Sequence, residues 1–300
     1  MSKKLENIGK ILICIGLTIL LLAAFSRLTE KICDAAELKI QMLDVGQGDA
    51  ILIQSETQNT LIDTGDLSGY EKLVAGLQAA GVLNLDKLIL THPHADHIAN
   101  AYGIINLFPA ATVYDNGKIS TSPFYKRYIK LKTPEILKGG DVLNLGDGVT
   151  LEVIAPTDLL VKNINNTSIV GTLRYGNFSM LFTGDYENEE TLDIGKVDVL
   201  KAGHHGSKTS ASLKFLEKAQ PGSVVISCGL ENKYGHPHKT ALENFLAVST
   251  NPENIFCTAY QGNILIVTDG TDYSITTEKD NSGWLEEYMG ARVSVTEITE

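Results

Sequence analysis

The sequence is poor in cysteine and contains no CxxC pair. Its four cysteines are Cys14, Cys33, Cys228 and Cys257. Cysteine zinc sites and dithiol redox motifs need closely spaced pairs, so the sequence indicates neither of them. A disulfide between Cys228 and Cys257, which lie in or beside apolar strand-like runs, is compatible with the sequence but cannot be derived from it.

Net positive charge is also absent. The 300 residues include 25 Lys and Arg against 36 Asp and Glu, a formal net charge of −11. Nucleic-acid binding over a whole surface relies on basic residues that neutralise phosphates, so this balance argues against it. A bound cation could still hold one phosphodiester locally. The basic, aromatic stretch Phe124–Lys132 could grip a nucleic-acid strand or form the solvated face of an amphipathic helix, and both interpretations remain open.

Long apolar runs are limited to one, Ile11–Phe25, which follows a basic N-terminus. Its fifteen residues are short for a membrane span of roughly 20. The order of basic, apolar and polar regions nevertheless predicts a signal peptide or signal anchor over residues 1–25, followed by a linker over 26–37. We therefore expect an extracytoplasmic protein, either membrane-anchored or secreted, and whether the segment is cleaved stays open.

Beyond the linker, strand-like and helix-like segments alternate without a low-complexity boundary. Short apolar runs closed by Gly, Asp or Asn predict strands, and helical spacing predicts helices over 70–82, from 95 or 96 to 107, and from near Tyr186. The pattern predicts one α/β domain over residues 38–275 and a polar tail over 276–300.

The histidines are few and unevenly placed. Each of three groups follows a strand-like run, and Asp185 in "MLFTGD" follows a fourth. Neutral imidazole and carboxylate are common ligands of zinc and neighbouring first-row metals, so the clustering predicts a metal site where strand ends meet. The three groups are His92, His94 and His97; His204 and His205; and His236 and His238.

The spacing within the first group predicts two metals. His92 and His94 are two residues apart and would point the same way from an extended loop. Asp96 and His97 follow the turn into a helix and would face a second metal. Asp185 has two carboxylate oxygens and could bridge both. Two cations about 3.5–4 Å apart activate a water between them and stabilise attacking and leaving oxygens.

The hexad "HPHADH" at residues 92–97 resembles the HxHxDH signature of the metallo-β-lactamase superfamily. The resemblance covers most of residues 38–270. The segments "DVGQGDAILI", "LIDTGD", "DVLKAGHHGSKTS" and "ISCGLENKYGHPH" are similar to the metallo-hydrolase domain of competence proteins of the ComEC/Rec2 type.

The resemblance implies a fold and a set of ligands. The fold is an α/β protein of the αββα type, with two central mixed sheets flanked by helices. The cofactors are two divalent metal ions, zinc or manganese. Many superfamily members supply a third histidine to the first metal, where this chain reads Asn165-Asn166-Thr167-Ser168, so we expect looser binding or a harder cation there. The implied ligands are His92 and His94 for the first metal, Asp96, His97 and His205 (or His204) for the second, and Asp185 between them, with Asp63 orienting the histidine loop.

Adjacent histidines cannot easily point the same way, so only one of His204 and His205 is expected to ligate. We favour His205 as the ligand and His204 as a catalytic group that contacts the scissile phosphate or protonates the leaving oxygen, although the reverse stays open. Asp96 is the second candidate catalytic residue. The expected substrate contacts are Asn166, Ser168 and His236, and His238 is expected to be structural. Gln47 and Asp49 could line the site or belong to a tight turn.

The favoured function is a metal-dependent phosphodiesterase or nuclease that acts on DNA through a metal-activated water. Its partners would be DNA, the membrane through the N-terminal segment, and a separate DNA-uptake channel protein, because one short apolar segment cannot form a channel. One alternative enzyme would hydrolyse a phosphocholine-type diester on a cell-surface polymer, or a lactone or lactam. A second alternative is a non-catalytic binding module for DNA uptake.

Overall fold

The computed structural model describes residues 37–248 and 251–296. The predicted signal or anchor over 1–25 lies outside these ranges, as does the linker up to residue 36. Within the described ranges, no helix has both the length and the apolar character needed to cross a membrane.

Within the described part of the chain, fifteen strands form two sheets. The first sheet has the strand order β15-β14-β1-β2-β3-β4-β5-β6, and the second has the order β13-β12-β11-β10-β9-β8-β7. Both sheets combine parallel and antiparallel pairs. The strands are β1 (Leu38–Met42), β2 (Ile51–Gln54), β3 (Asn59–Ile62), β4 (Leu85–Leu90), β5 (Ala110–Asp115), β6 (Glu135–Ile136), β7 (Val142–Asn144), β8 (Thr150–Ala155), β9 (Val170–Tyr175), β10 (Phe178–Phe182), β11 (Val199–Lys201), β12 (Ser223–Ile226), β13 (Ile255–Cys257), β14 (Ile264–Thr268) and β15 (Tyr273–Thr277).

Both faces of each sheet are apolar, which explains why the central strands read as nearly continuous hydrophobic runs. In β4, Ile89 points into the core between the sheets, whereas Leu88 and Leu90 point outward. In β10, Met180 faces the same inter-sheet core and Leu181 faces the opposite side. Because side chains alternate along a strand, each sheet therefore needs a covering layer on its outer face.

Helices cover both outer faces. Leu77, Ile104 and Tyr128 belong to the cluster against the first sheet, and Leu242 and Trp284 belong to the cluster against the second. The predicted αββα sandwich with two mixed sheets is therefore confirmed. The helices are α1 (Tyr70–Ala79), α2 (Ala95–Ile98), α3 (Ala101–Leu107), α4 (Pro123–Leu131), α5 (Leu213–Ala219), α6 (Lys239–Ala247), α7 (Thr258–Gln261) and α8 (Trp284–Thr296).

The helix expected from residue 95 or 96 to 107 is interrupted between α2 and α3. The carbonyl of His97 accepts hydrogen bonds from the backbone N–H of Thr64 (2.7 Å) and from its hydroxyl (2.9 Å), so it is not used inside a helix. The helix expected near Tyr186 is also wrong, because that region contains only a 3₁₀ turn, Glu189–Thr191.

The segment predicted as a polar tail over 276–300 contributes to the core. Trp284, at the start of α8, is 1% exposed, and its Nε1 donates to the carbonyl of Ile255 at 3.1 Å. The folded unit therefore extends beyond residue 275. The Sγ atoms of Cys228 and Cys257 lie 3.4 Å apart as buried free thiols.

The stretch Phe124–Lys132 forms α4 and has the amphipathic arrangement. Tyr128 is buried, with its hydroxyl donating to Asp115 Oδ2 at 2.8 Å. Phe124 and Tyr125 pack against the core. Because these rings face inward, they are not presented as a surface for stacking bases.

Candidate metal centre

Loops from both sheets converge at one edge of the sandwich. The hexad follows β4 and Asp63 follows β3 in the first sheet, while Asp185 follows β10 and the histidine pair follows β11 in the second. These strands run parallel to a neighbour within their own sheet, so their C-terminal ends share an edge. Residues far apart in the chain therefore meet in one small volume.

Asp63 orients the histidine loop. One of its carboxylate oxygens, Oδ2, accepts a hydrogen bond from His97 Nδ1 at 2.7 Å and another from the Thr91 hydroxyl at 2.6 Å. The other, Oδ1, accepts from the Thr91 backbone N–H at 2.7 Å. Asp63 is fully buried and has a left-handed φ of 59°, a conformation that aspartate tolerates better than most residues. With Nδ1 engaged, His97 turns Nε2 towards the centre, as ligating histidines usually do.

The turn after β11 separates the two adjacent histidines. His204 and His205 have left-handed φ values of 46° and 57°, a strained arrangement that costs on the order of 1–3 kcal/mol per residue. His205 is buried and donates from Nδ1 to the Ser227 carbonyl at 3.0 Å. His204 Nδ1 instead contacts Glu187 Oε1 at 2.9 Å, so its ring lies at the edge of the centre.

Two groups of potential ligands share Asp185. In each group the ligand atoms all lie within 4.8 Å of one another. The atoms His97 Nε2 and Asp185 Oδ2 are 3.2 Å apart, and His205 Nε2 lies 3.3 Å from Asp96 Oδ2. One group is Asp96, His97, Asp185 and His205, and the other is His92, His94 and Asp185.

The chemistry of these atoms fits divalent cations. Among the residues that the structure describes, His97 Nε2, His205 Nε2 and Asp185 Oδ1 are buried and have no hydrogen-bond partner. Buried polar atoms nearly always have a hydrogen-bond partner, so three such atoms without one that face the same small volume indicate a bound ligand. In the second group, the ring nitrogens His92 Nε2 and His94 Nδ1 are only 3.0 Å apart. Mixed nitrogen and oxygen donors suit zinc, manganese and their neighbours.

The buried carboxylates around His97 and His205 favour positive charge at the centre. Burial opposes protonation of His97, yet Asp185 and Asp63 outweigh it and raise its pKa well above the usual range. Burial likewise opposes protonation of His205, and Asp185 with Asp49 raises its pKa to about 10. The carboxylates that attract these protons would attract a cation in their place.

The pKa values of His92 and His236 are shifted in the opposite direction, downwards. Burial, reinforced by the neighbouring His97, lowers the pKa of His92 well below its usual value. Burial and the nearby His205 and His204 lower the pKa of His236 to about 3. These shifts favour the neutral form of both rings, which is the form that can bind a metal.

A buried ion pair between Lys201 and Asp49 lies beside the candidate ligands. Lys201 Nζ lies 2.8 Å from Asp49 Oδ2, with both side chains at most 2% exposed. Burial opposes ionisation of Asp49, but Lys201 and His205 lower its pKa to about 2. The Asp49 loop also packs against the hexad, since a Cβ on Gly48 would lie 2.2 Å from the carbonyl oxygen of Asp96. Asp49 thus lines the centre and also belongs to a tight turn.

The centre opens into a cleft of about 340 Å³, which we call the metal cleft. This volume is at the small end of the range for ligand pockets. His236 lines it and is 7% exposed, whereas His238 accepts from the Lys208 backbone N–H at 3.0 Å, away from the ligands. The lining residues are Gln47, His94, Ala95, Asp96, Asn165, Asp185, His204, His205, Tyr234 and His236.

Two of the expected substrate contacts do not line this cleft. The amide oxygen of Asn166 accepts from the backbone N–H groups of Glu187 (2.9 Å) and Asn188 (3.2 Å), so it braces a loop. Ser168 is fully buried, and its hydroxyl accepts from the Asp185 N–H at 3.2 Å. Asn165 lines the cleft instead, and its Oδ1 has no hydrogen-bond partner among the described residues.

The sequence reasoning missed three polar groups at this site. Glu187 contacts His204, and Lys201 pairs with Asp49. Tyr234 lines the metal cleft although it is 49% exposed. Tyr234 lies in the segment "ISCGLENKYGHPH", which carries the family resemblance, whereas nothing in the local sequence marks Glu187 or Lys201.

Comparisons with known proteins agree with this geometry. Residues 43–229 match the metallo-beta-lactamase superfamily. ComE operon protein 3 of Bacillus subtilis is 32% identical over 240 residues, which cover 70% of this chain and 31% of that protein. Recombination protein 2 of Haemophilus influenzae is 32% identical over 269 residues, 87% of this chain and 31% of that protein. The chain thus spans about a third of the length of these relatives.

A solved structure supports the same fold. The metallo-beta-lactamase fold protein YhfI from Bacillus subtilis superposes with a TM-score of 0.51 at 15% identity, covering 73% of this chain and 96% of that one. The resemblance to ComEC/Rec2-type proteins is confirmed by the two relatives above. The chain is therefore a metallo-hydrolase that belongs to the metallo-β-lactamase superfamily.

Proposed function

We propose that this protein is a metal-dependent phosphodiesterase that cleaves DNA outside the cytoplasm. The observation that carries the proposal is the position of Asp185. Its carboxylate belongs to both ligand groups and lines an open cleft, with His204 at the edge. Two-metal hydrolases of phosphodiesters are built around such shared ligands.

Six residues would hold two divalent cations, zinc or manganese. His92 and His94 would hold the first, and Asp96, His97 and His205 the second, with Asp185 shared. When bound, the metals would supply an activated water and neutralise the charge of a scissile phosphate. Asp63 keeps His97 in the ligating tautomer by accepting from Nδ1, and Asn165 Oδ1 offers an additional oxygen to the metal cleft.

His204 is suited to proton transfer. Its Nδ1 donates to Glu187 Oε1 at 2.9 Å, which leaves Nε2 facing the centre, 3.7 Å from Asp185 Oδ2. In this orientation an Nε2–H could be given to a leaving alkoxide, which is the role of a general acid. Glu187 is held in turn by the Thr209 hydroxyl at 2.8 Å. His204 would thus act as general acid, and Glu187 would position it.

DNA is favoured as the substrate by the relatives. One of them carries the name Recombination protein 2, and this chain aligns with about a third of its length. A separate DNA-uptake channel protein would then be the partner, and residues 1–25 would attach this chain to the membrane. A diester on a cell-surface polymer, or a lactone or lactam, is the alternative substrate that the same centre would accept.

A direct test uses the full chain, stripped of metal and reloaded with zinc or with manganese. It is incubated with single-stranded DNA, double-stranded DNA and bis(p-nitrophenyl) phosphate. Asp185→Ala should abolish cleavage, whereas the matched change Asp158→Ala, at an exposed carboxylate outside both ligand groups and the metal cleft, should not. DNA cleavage that needs metal and Asp185 supports the proposal.

The other outcomes point to the alternatives. Cleavage of the small diester without DNA would move the substrate to another phosphodiester. Metal binding without any turnover would favour the non-catalytic DNA-binding module. The variant His204→Ala further distinguishes an enzyme from a non-catalytic binding module. Loss of turnover with full metal content is expected only of an enzyme.

A further inference from the structure

A second cleft of about 400 Å³, which we call the side cleft, adjoins the metal cleft. Gln47, Asp96 and Tyr234 line both, so the two clefts meet along these side chains. Of the two clefts, the side cleft alone is lined by Asp66, Asn232 and Lys233. A substrate whose phosphate reaches the metal ligands would therefore extend its flanking group into the side cleft.

Tyr234 is held in place by its own loop. The side chain of Asn232 accepts from the backbone N–H groups of Tyr234 (3.1 Å) and His236 (3.0 Å). It also donates to the carbonyls of Gly229 (2.8 Å) and His236 (2.6 Å). These four bonds fix the backbone of the loop, so the loop presents the half-exposed ring of Tyr234 at a defined position between the two clefts.

The Tyr234 ring already takes part in a stack. It lies nearly parallel to the His236 ring, with an interplanar angle of 20° and centroids 5.6 Å apart. His236 is buried beside the metal cleft, so this pair leads from the ligands to the surface. Aromatic side chains at such positions bind successive bases of single-stranded nucleic acid by their π-faces.

Charge determines which ligand suits the side cleft. Asp66 carries negative charge there, Asp96 is committed to the proposed second metal, and Lys233 is the only basic side chain among the described lining residues. The side cleft therefore offers a second phosphate no excess of positive charge. A quaternary ammonium group would gain from the carboxylates but normally needs several aromatic rings. Tyr234 is the single aromatic residue among those that line this cleft, and Lys233 Nζ lies 5.0 Å from its ring centroid, where it would repel a cation.

A neutral, flat, aromatic group meets these requirements best. Gln47 adds a hydrogen-bond donor, because its Nε2 is buried and has no partner among the described residues. From the proposed phosphodiesterase function, on which this step rests, we infer that the side cleft is a subsite for the nucleobase next to the scissile phosphate. Tyr234 provides the stacking surface without reading the identity of the base.

The test compares substrates that differ only in the flanking group. The metal-loaded full chain is assayed with the 5′- and 3′-(p-nitrophenyl phosphate) esters of thymidine, with methyl p-nitrophenyl phosphate, and with p-nitrophenyl phosphocholine. The variants are Tyr234→Ala, Tyr234→Phe and the matched control Tyr102→Ala, which removes another half-exposed tyrosine away from the metal cleft. Metal content and melting temperature are measured for each variant.

We expect Tyr234→Ala to lower kcat/KM for a thymidine ester by about 5- to 100-fold, the range for loss of one base–aromatic stack. The methyl ester should change less than about 2-fold, and Tyr234→Phe should retain activity because it keeps the ring. An equal effect on all esters would overturn the inference. A loss confined to the phosphocholine ester would also overturn it and assign the cleft to a quaternary ammonium group.

A binding measurement separates this inference from the proposed function. A phosphorothioate-linked oligonucleotide containing 2-aminopurine loses fluorescence when its base stacks on an aromatic ring. If the wild-type protein cleaved none of the esters, the phosphodiesterase proposal would fail. Quenching that persists in Tyr234→Phe and disappears in Tyr234→Ala would still support the nucleobase subsite, and absence of quenching by the wild type would refute it.

Discussion

Substitution Asp63→Asn should weaken metal binding although Asp63 is not itself a ligand. In the wild type the buried carboxylate accepts from His97 Nδ1 at 2.7 Å and from two groups of Thr91. An asparagine amide facing Nδ1 would favour the tautomer that carries its proton on Nε2. That nitrogen, one of the unpartnered buried atoms of the centre, would then be blocked.

The expected loss follows from the role of such partners. Removing the group that orients a ligating histidine typically lowers metal affinity about 10- to 100-fold, or roughly 1.4–2.7 kcal/mol. Competition with a chromophoric chelator would measure the affinity of wild type and variant for zinc. Asp158→Asn removes the same charge from an exposed site and should leave the affinity unchanged. An Asp63→Asn affinity within about 2-fold of wild type would refute the reasoning, since it would mean that His97 ligates without its carboxylate.

Three further predictions concern the side chains of Glu187, Lys201 and Glu189. Glu187→Gln should reduce kcat about 10²- to 10⁴-fold with metal content unchanged, because His204 loses the carboxylate that holds its Nδ1–H and keeps Nε2 facing the centre. Lys201→Met should destabilise the protein by about 3–5 kcal/mol in chemical denaturation, because it removes the lysine that pairs with the buried carboxylate of Asp49. Burial raises the pKa of Glu189 from 4.5 to about 8. The folded state therefore keeps this carboxyl protonated up to a higher pH than the unfolded state does. The free energy of unfolding should fall between pH 5 and pH 8, by up to about 5 kcal/mol. Glu189→Gln should flatten this dependence on pH.

Each of these has a control and a contrary outcome. An unchanged kcat in Glu187→Gln would exclude the proposed role of Glu187 in positioning His204. Combining Lys201→Met with Asp49→Asn should recover part of the lost stability, and a purely additive double variant would contradict the ion-pair argument. For Glu189, identical pH profiles of wild type and variant would show that the carboxyl ionises freely in the folded protein.

Most of the ligand cluster could be predicted from the sequence because its members are concentrated in short blocks that follow strands. Short apolar runs closed by turn residues locate the strand ends, and histidines placed there are chemically conspicuous. The same reasoning selected Asn166 where the structure brings Asn165 into the cleft. A 3₁₀ turn over Ile164–Thr167 decides which of the two neighbours faces inward, and composition carries no signal for that choice.

Other features depend on contacts between distant segments. Lys201 reads as an ordinary strand residue until the fold brings it to Asp49, and Glu187 reads as part of an acidic surface run. Trp284 lies in a polar segment, which is tied to the second sheet by stacking of Trp284 on Tyr260, with centroids 4.9 Å apart, and by its hydrogen bond to the Ile255 carbonyl. Local periodicity cannot reveal such pairings, because the partners lie in other parts of the chain.

The division of the ligands between the two sheets has a consequence for folding. The hexad belongs to the first sheet, whereas Asp185 and His205 belong to the second. Ions bound between them would act as a non-covalent cross-link across the sandwich, comparable to a disulfide that joins remote segments. Metal at 100 times its dissociation constant would add about 2.7 kcal/mol to the stability of the folded state. A chelator should therefore lower the melting temperature as well as the activity, so metal supply would control how much folded protein persists.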